Sequence, residues 1–199
     1  MNPLLRISIT TGLVALALTQ TFMAPAPAQA AQTNQQMVLN QSHIRFVSRQ
    51  MGVPVEGTFK RFGVGGNFDP RRPDASSITI HVDLSSVDIG NADTEAELKK
   101  PGWFDSVRRP MATFKSSAIK PVANGRFDIV GSLTIKGQSM PVTVPVQLVQ
   151  KNDFTSARGS LQIKRMDYRI GDGEWNDISI VANEVQINFQ LTLVGIPPL

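Results

Sequence analysis

Few side chains in this chain are of the types that do chemistry, and their spacing argues against a catalytic assembly. There are two histidines, His43 and His81, and no cysteine. A triad or a metal site needs such groups to converge in a cleft, yet alternation along their segments puts both imidazoles on outward positions. Asp83 and Asp88 flank a short turn, where carboxylates accept hydrogen bonds from backbone amides instead of sharing a proton. Ser85-Ser86 lacks the Gly-x-Ser-x-Gly setting of a nucleophile elbow. The polar grouping with a binding chemistry is Arg165-x-Asp167, with Trp175 downstream. Arg165 and Asp167, with Trp175 beside them, are the candidates for contact with the polar head of a ligand; a structural ion pair between Arg165 and Asp167 at a strand end is the alternative. No catalytic residue, metal ligand or cofactor is expected, and the chain reads as a binding protein, not an enzyme.

The elements that must position these groups are strands. From Val185 to Leu193 every odd position is apolar and every even one polar, the period of a strand with one greasy face. Ile78, Ile80 and Val82 repeat the pattern, as do Val142, Val144 and Val146. Such one-sided strands indicate an antiparallel sheet. The same alternation turns Ile44 and Phe46 inward on the first strand, and Val55, Gly57 and Phe59 on the second. Phe114 follows, then Phe127, Ile129, Leu133 and Ile135. Ala92 to Lys100, with acids at its start and lysines at its end, is the one short helix. It is too short to cover a sheet, so about eight strands must bury their apolar faces against one another, as a sandwich or as a closed barrel. Periodicity does not separate the two. A sandwich with a solid core would make an adhesion or stress-related interaction module; a barrel of this size either fills its interior or holds one ligand.

Residues 1–30 have the form of a secretory signal. Arg6 precedes an apolar run from Ile7 to Leu18, shorter than the roughly 20 residues that span a bilayer, and Ala28-Gln29-Ala30 has the form of a cleavage site. Cleavage after Ala30 lowers the 20 basic side chains to 19 against 16 acidic ones, a net of +3. The basic residues are scattered, which argues against nucleic acid as a partner. Residues 31–37 read as a disordered leader and 38–199 as one domain. Absence of cysteine rules out both disulfides and an N-terminal lipid anchor, so a free protein in a bacterial periplasm is expected; a homodimer is left open.

Several motifs in order give a family resemblance. Ser42-His-Ile-Arg-Phe46, Gly57-Thr-Phe59, Asp83-Leu-Ser-Ser-Val-Asp88 and Trp103-Phe-Asp105 are followed by Pro110-Met-Ala-Thr-Phe-Lys-Ser116, Gly131-Ser-Leu-Thr-Ile-Lys-Gly137 and Arg165-Met-Asp-Tyr-Arg-Ile-Gly171. Over Val38 to Leu193 the chain resembles the YceI-like family of bacterial periplasmic proteins. The resemblance implies an extended, lipocalin-like antiparallel barrel that takes a polyisoprenoid, such as a polyprenyl phosphate or a quinone, into its interior, with Phe104 joining the lining. Gln50 stands where the family often has a histidine. With burial worth about 0.8 kcal/mol per CH₂, a tail alone would hold such a ligand, leaving the head group to set orientation and selectivity.

Overall fold

The computed structural model describes residues 35–199; the expected signal sequence and its cleavage point lie outside the described residues. Eleven strands are formed: β1 (Gln36–Met37), β2 (His43–Gln50), β3 (Val53–Phe59), β4 (Phe62–Asn67), β5 (Ser77–Asp83) and β6 (Val87–Asp88), then β7 (Met111–Ala123), β8 (Arg126–Ile135), β9 (Gln138–Lys151), β10 (Phe154–Lys164) and β11 (Glu184–Val194). All pairings are antiparallel, in the order β4-β5-β7-β8-β9-β10-β11-β2-β3-β6, with β1 added to β11.

Two bends turn this list into a ring. β3 and β4 are halves of one strand interrupted at Lys60 and Arg61, and β5 and β6 are halves of another, interrupted by a 3₁₀ turn at Leu84–Ser86. β3 pairs with β2 on one side, while β4 pairs with β5 on the other. Main-chain bonds from Lys60 N to Ser86 O (3.1 Å) and from Asp83 N to Arg61 O (2.9 Å) carry the pairing through the bends. Merging each bent pair reduces eleven strands to nine, and setting aside two-residue β1 leaves the eight expected. The wall is one curled sheet, so the sandwich is not formed. Asp83 pins the corner: its carboxylate accepts from Ser85 N (2.8 Å), Ser85 Oγ (2.6 Å) and Arg61 Nε (2.9 Å), and the Ser85 hydroxyl and Arg61 hold it below the usual aspartate range.

Local sequence explains the remaining elements. Lys136 and Gly137 both have positive φ (50° and 78°), the two-residue turn whose twist matches the flanking strands. Helix α1 (Ala92–Leu98) is capped by the Asn91 side chain, which accepts from Thr94 N at 2.9 Å. It stops two residues earlier than the composition suggests, since Pro101 disfavours helical backbone at Lys100. The expected leader is ordered in its last three residues. Gln35 donates from Nε2 to Phe68 O (2.6 Å) and accepts from Phe68 N (2.9 Å), and β1 continues the sheet. These contacts cover the flank of β4 that no longer strand reaches.

Candidate ligand cavity

Every strand from β2 to β5 and from β7 to β11 sends apolar side chains into the ring, and they do not fill it. The interior keeps an apolar cavity of about 360 Å³, within the roughly 300–1,000 Å³ of sites that bury small molecules. Ile44, Phe46, Val55 and Phe59 line one wall; Ile78, Ile80, Val82 and Phe114 line the next; Phe127, Ile129, Leu133, Ile135 and Val144 continue it. The alternation of β11 also holds, with Val185, Ile187, Phe189, Leu191 and Leu193 all facing the lumen.

The hollow survives because phenylalanine rings lie along the wall, over glycines on the neighbouring strand. Phe46 is the register partner of Gly57, and a Cβ at Gly57 would stand 2.3 Å from Phe46 Cζ. Phe189 covers Gly159 in the same way, at 2.5 Å, and Phe114 covers Gly131, at 2.7 Å. Rings also meet along the wall: Phe46, Phe59 and Phe104 form a tilted chain with centroids 5.6 and 5.9 Å apart, and Phe68 meets Phe127 edge-on at 5.5 Å. Offset and edge contacts of this kind stabilise aromatic pairs. Among the residues of the strands expected to face inward, Gly57 lies beneath the Phe46 ring and Val142 does not reach the cavity. It lies opposite Gly131, where the Phe114 ring occupies the interior.

Residues that carried no inward assignment also contribute. Leu161 and Ile163 of β10 face the lumen, an alternation legible in the sequence. Leu98, Trp103, Ile170 and Val181 do so from the helix and loops, where no period announces them. Gln50, in the place of the family's histidine, lies in the lining, near Ser48.

Arg165 sits at the end closed by the 165–182 segment, 1 % exposed. Its guanidinium donates to main-chain carbonyls: Nε to Val181 O and Ala182 O, Nη1 to Ile170 O (2.8 Å) and Gly171 O (3.0 Å), Nη2 to Trp175 O (2.7 Å) and Val181 O (2.9 Å). Asp167, expected to bind the ligand, is exposed and outside the cavity, and the alternative ion pair with Arg165 is absent from the contacts of the described residues. Both belong to a 3₁₀ turn (Arg165–Tyr168), and with three residues per turn positions two apart diverge. Arg165 therefore fastens the end of the barrel, its donors committed to the protein. Burial lowers its pKa from the ordinary guanidinium value, against the pull of Asp172, and it stays charged. Trp175 lines the cavity beside Trp103, their ring centroids 5.5 Å apart.

The histidines do not converge on this space. His81 is exposed, with Nδ1 3.3 Å from Thr113 Oγ1; His43 is shifted below its ordinary pKa by partial burial and by Arg45 and Arg158. Among the described residues no group of three or more His, Cys, Asp or Glu is placed to hold a metal, and no helix is long and apolar enough to cross a membrane.

A curled, eight-stranded antiparallel wall around one apolar chamber defines a lipocalin-like barrel. Residues 36–193 match the model of the YceI-like domain, and the chain belongs to the YceI-like family. BcnA of Burkholderia cenocepacia is 41% identical and superposes with a TM-score of 0.76, over 79% of this chain and 99% of that one. A polyisoprenoid binding domain from Saccharophagus degradans, 16% identical, shares the fold with a TM-score of 0.66 over 81% of this chain and 98% of its own. A UPF0312 protein of Pseudomonas aeruginosa is 29% identical over 183 residues, 88% of this chain and 93% of that protein.

Proposed function

We propose that this protein binds a long apolar lipid of the polyisoprenoid type in its barrel and carries or sequesters it in the periplasm, without chemistry of its own. The observation that carries this reading is the unfilled apolar chamber, kept open by rings laid flat over glycines. A solid core would have gained about 25 cal/mol for each Å² of apolar surface removed from water, and an unfilled interior forgoes packing contacts. A ligand tail restores both. The family membership and the binding domain from Saccharophagus degradans support an isoprenoid as the class of tail; a polyprenyl phosphate and a quinone both fit that description. The signal-like residues 1–30 support export.

Native mass spectrometry and organic extraction of protein purified from its own periplasm test the proposal. One lipid per chain is expected. Protein that emerges ligand-free and takes up no added isoprenoid would overturn it.

A further inference from the structure

The chamber reaches the surface where exposed residues form part of its lining, as Gln50 of β2 and Thr94 of α1 do. The rim there is apolar. On β3, Val53, Val55, Gly57 and Phe59 pair with the inward set of β2, so the four share the face that looks into the lumen. Val55 lines the chamber, whereas Val53, next along that face, is 64 % exposed. The 177–180 turn lies alongside: Met51 N donates to Ile180 O at 2.7 Å, and Gln50 bridges to Val181. Val181 belongs to the lining, while Ile180 before it is 37 % exposed and Ile178, on the same turn, 60 %. Met51, between β2 and β3, is 72 % exposed. The apolar surface of the lumen thus runs out over the mouth into water.

Other exposed apolar side chains lack this continuity. Val149 and Phe154, at the far end of the barrel, lie outside the lining. The lining also reaches the surface at Gly65, Gly66 and Ser77, but there the chain runs through the polar segment between them, with Asp69, Arg71, Arg72 and Asp74. Four side chains on two turns fall far short of the roughly 20–30 residues a side that a stable protein interface uses, so a second copy or a protein partner does not suit them. Residues 49–53 and 177–181 carry one cation, Arg49, and one anion, Asp177; Asp177 is engaged by Ser179 N (2.8 Å) and Ser179 Oγ (2.6 Å). The rim has no net charge with which to select anionic lipids. We propose that Met51, Val53, Ile178 and Ile180 dip into the head-group region of a bilayer and join the chamber to the membrane, so that cargo enters and leaves without crossing water. Apolar burial drives this docking. The inference rests on the lipid-carrier reading above and adds the surface at which cargo is exchanged.

The test uses the mature protein, vesicles of phosphatidylcholine with and without phosphatidylglycerol, and tritiated geranylgeraniol supplied either in the vesicles or on a cyclodextrin. The protein should float with both kinds of vesicle, at low and high salt alike, and extract the alcohol at a rate that rises with vesicle concentration. Met51→Asn/Ile178→Asn should lower the partition coefficient and the extraction rate at least tenfold, since burying one such side chain is worth about that much. Its affinity for cyclodextrin-borne alcohol should be unchanged. Val149→Asn/Phe154→Asn should match the parent throughout. No flotation of the parent, flotation that needs phosphatidylglycerol, an extraction rate that Met51→Asn/Ile178→Asn leaves unchanged, a loss of cyclodextrin-borne binding in that variant, or a parent dimer that it dissolves would each overturn the docking surface. The lipid reading survives all of these as long as the parent binds the alcohol from cyclodextrin. A parent that takes up the alcohol from neither source would overturn both.

Discussion

Replacing Gly57 by alanine should close part of the chamber without touching a residue that any ligand contacts by its own side chain. The new Cβ would stand 2.3 Å from Phe46 Cζ, 2.5 Å from Phe46 Cε1 and 2.7 Å from Ile89 Cγ2. All three are far ends of side chains, so the backbone need not break. To move from 2.3 Å to the 3.4 Å of an ordinary contact, the Phe46 ring must lift about 1.1 Å off the wall, and the free space lies in the lumen. If the ring then excludes about three methylene-sized groups of a tail, at about 0.8 kcal/mol each, the loss is about 2.4 kcal/mol, or about 50-fold in Kd. Overpacking itself costs about 1–3 kcal/mol, seen as a fall in Tm of about 2–4 °C per kcal/mol for a domain of this size. Isoprenoid titration of Gly57→Ala beside Phe46→Leu and the double variant gives the answer. Leucine lacks the atoms that clash, so the double variant should return to within a few-fold of Phe46→Leu alone. A folded Gly57→Ala protein with unchanged affinity, or a loss that Phe46→Leu does not relieve, would refute the idea that glycines hold the chamber open.

Other perturbations read other parts of the wall and its closures. Phe46→Asp puts a charge into the lumen and should abolish lipid uptake, whereas Arg45→Asp, on the exposed side of the same strand, should leave it intact in the same uptake assay. Arg165→Met orphans the carbonyls of Ile170, Gly171, Trp175 and Val181; at about 1–3 kcal/mol for each buried group left unsatisfied, the denaturation midpoint should drop steeply, while Asp167→Asn should stay within about 0.5 kcal/mol of the parent. Burial, with Asp167 adding to it, raises the Tyr168 pKa to about 12. The folded state thus keeps this proton where the unfolded chain, titrating near the ordinary value of 10.0, has lost it, so stability should fall as pH rises from 10 towards 12. Tyr168 is the single tyrosine, so tyrosinate absorbance reports on it alone; a midpoint near 10 while circular dichroism remains native would contradict this. Asp83→Ala removes the cap of the corner turn and should cost about 1 kcal/mol. In the parent, the lowered Asp83 pKa makes the carboxylate's contribution present above the unfolded pKa and lost as pH falls through the folded one, which acid titration of the variant against the parent would show as a smaller loss.

How much of this could be read from residues alone depended on whether a period carried the information. β8 occupies Arg126 to Ile135 as the turn signals and alternation place it, and the lumen-facing sets on β2, β5, β8 and β11 follow from a period of two. Phe114 and Phe189 were legible as inward, but their flat pose was not: it depends on Gly131 and Gly159 on strands that the sequence places elsewhere, and only the register brings them together. Trp103, Ile170 and Val181 enter from loops, where direction is set by tertiary contacts. Arg165 lies in the cavity lining and Asp167 does not, because a two-residue spacing puts side chains on one face in a strand and on different faces in a 3₁₀ turn. Apart from two-residue β1, ten segments stood for eight strands because the bends at Lys60–Arg61 and Leu84–Ser86 break the pattern without breaking the wall.

The seam that completes the ring joins β2 to β11, with Gln190 opposite His43 and Thr192 N bonded to Ser42 Oγ across 150 positions of chain. Contacts so distant in sequence form late, since the loop between them must be ordered first. The folding polypeptide therefore has every hairpin from β7 to β10 available to it while its enclosure still stands open, and the pairing of β11 with β2 is what shuts it. Any cargo insoluble in water has until that moment to be taken in from the side.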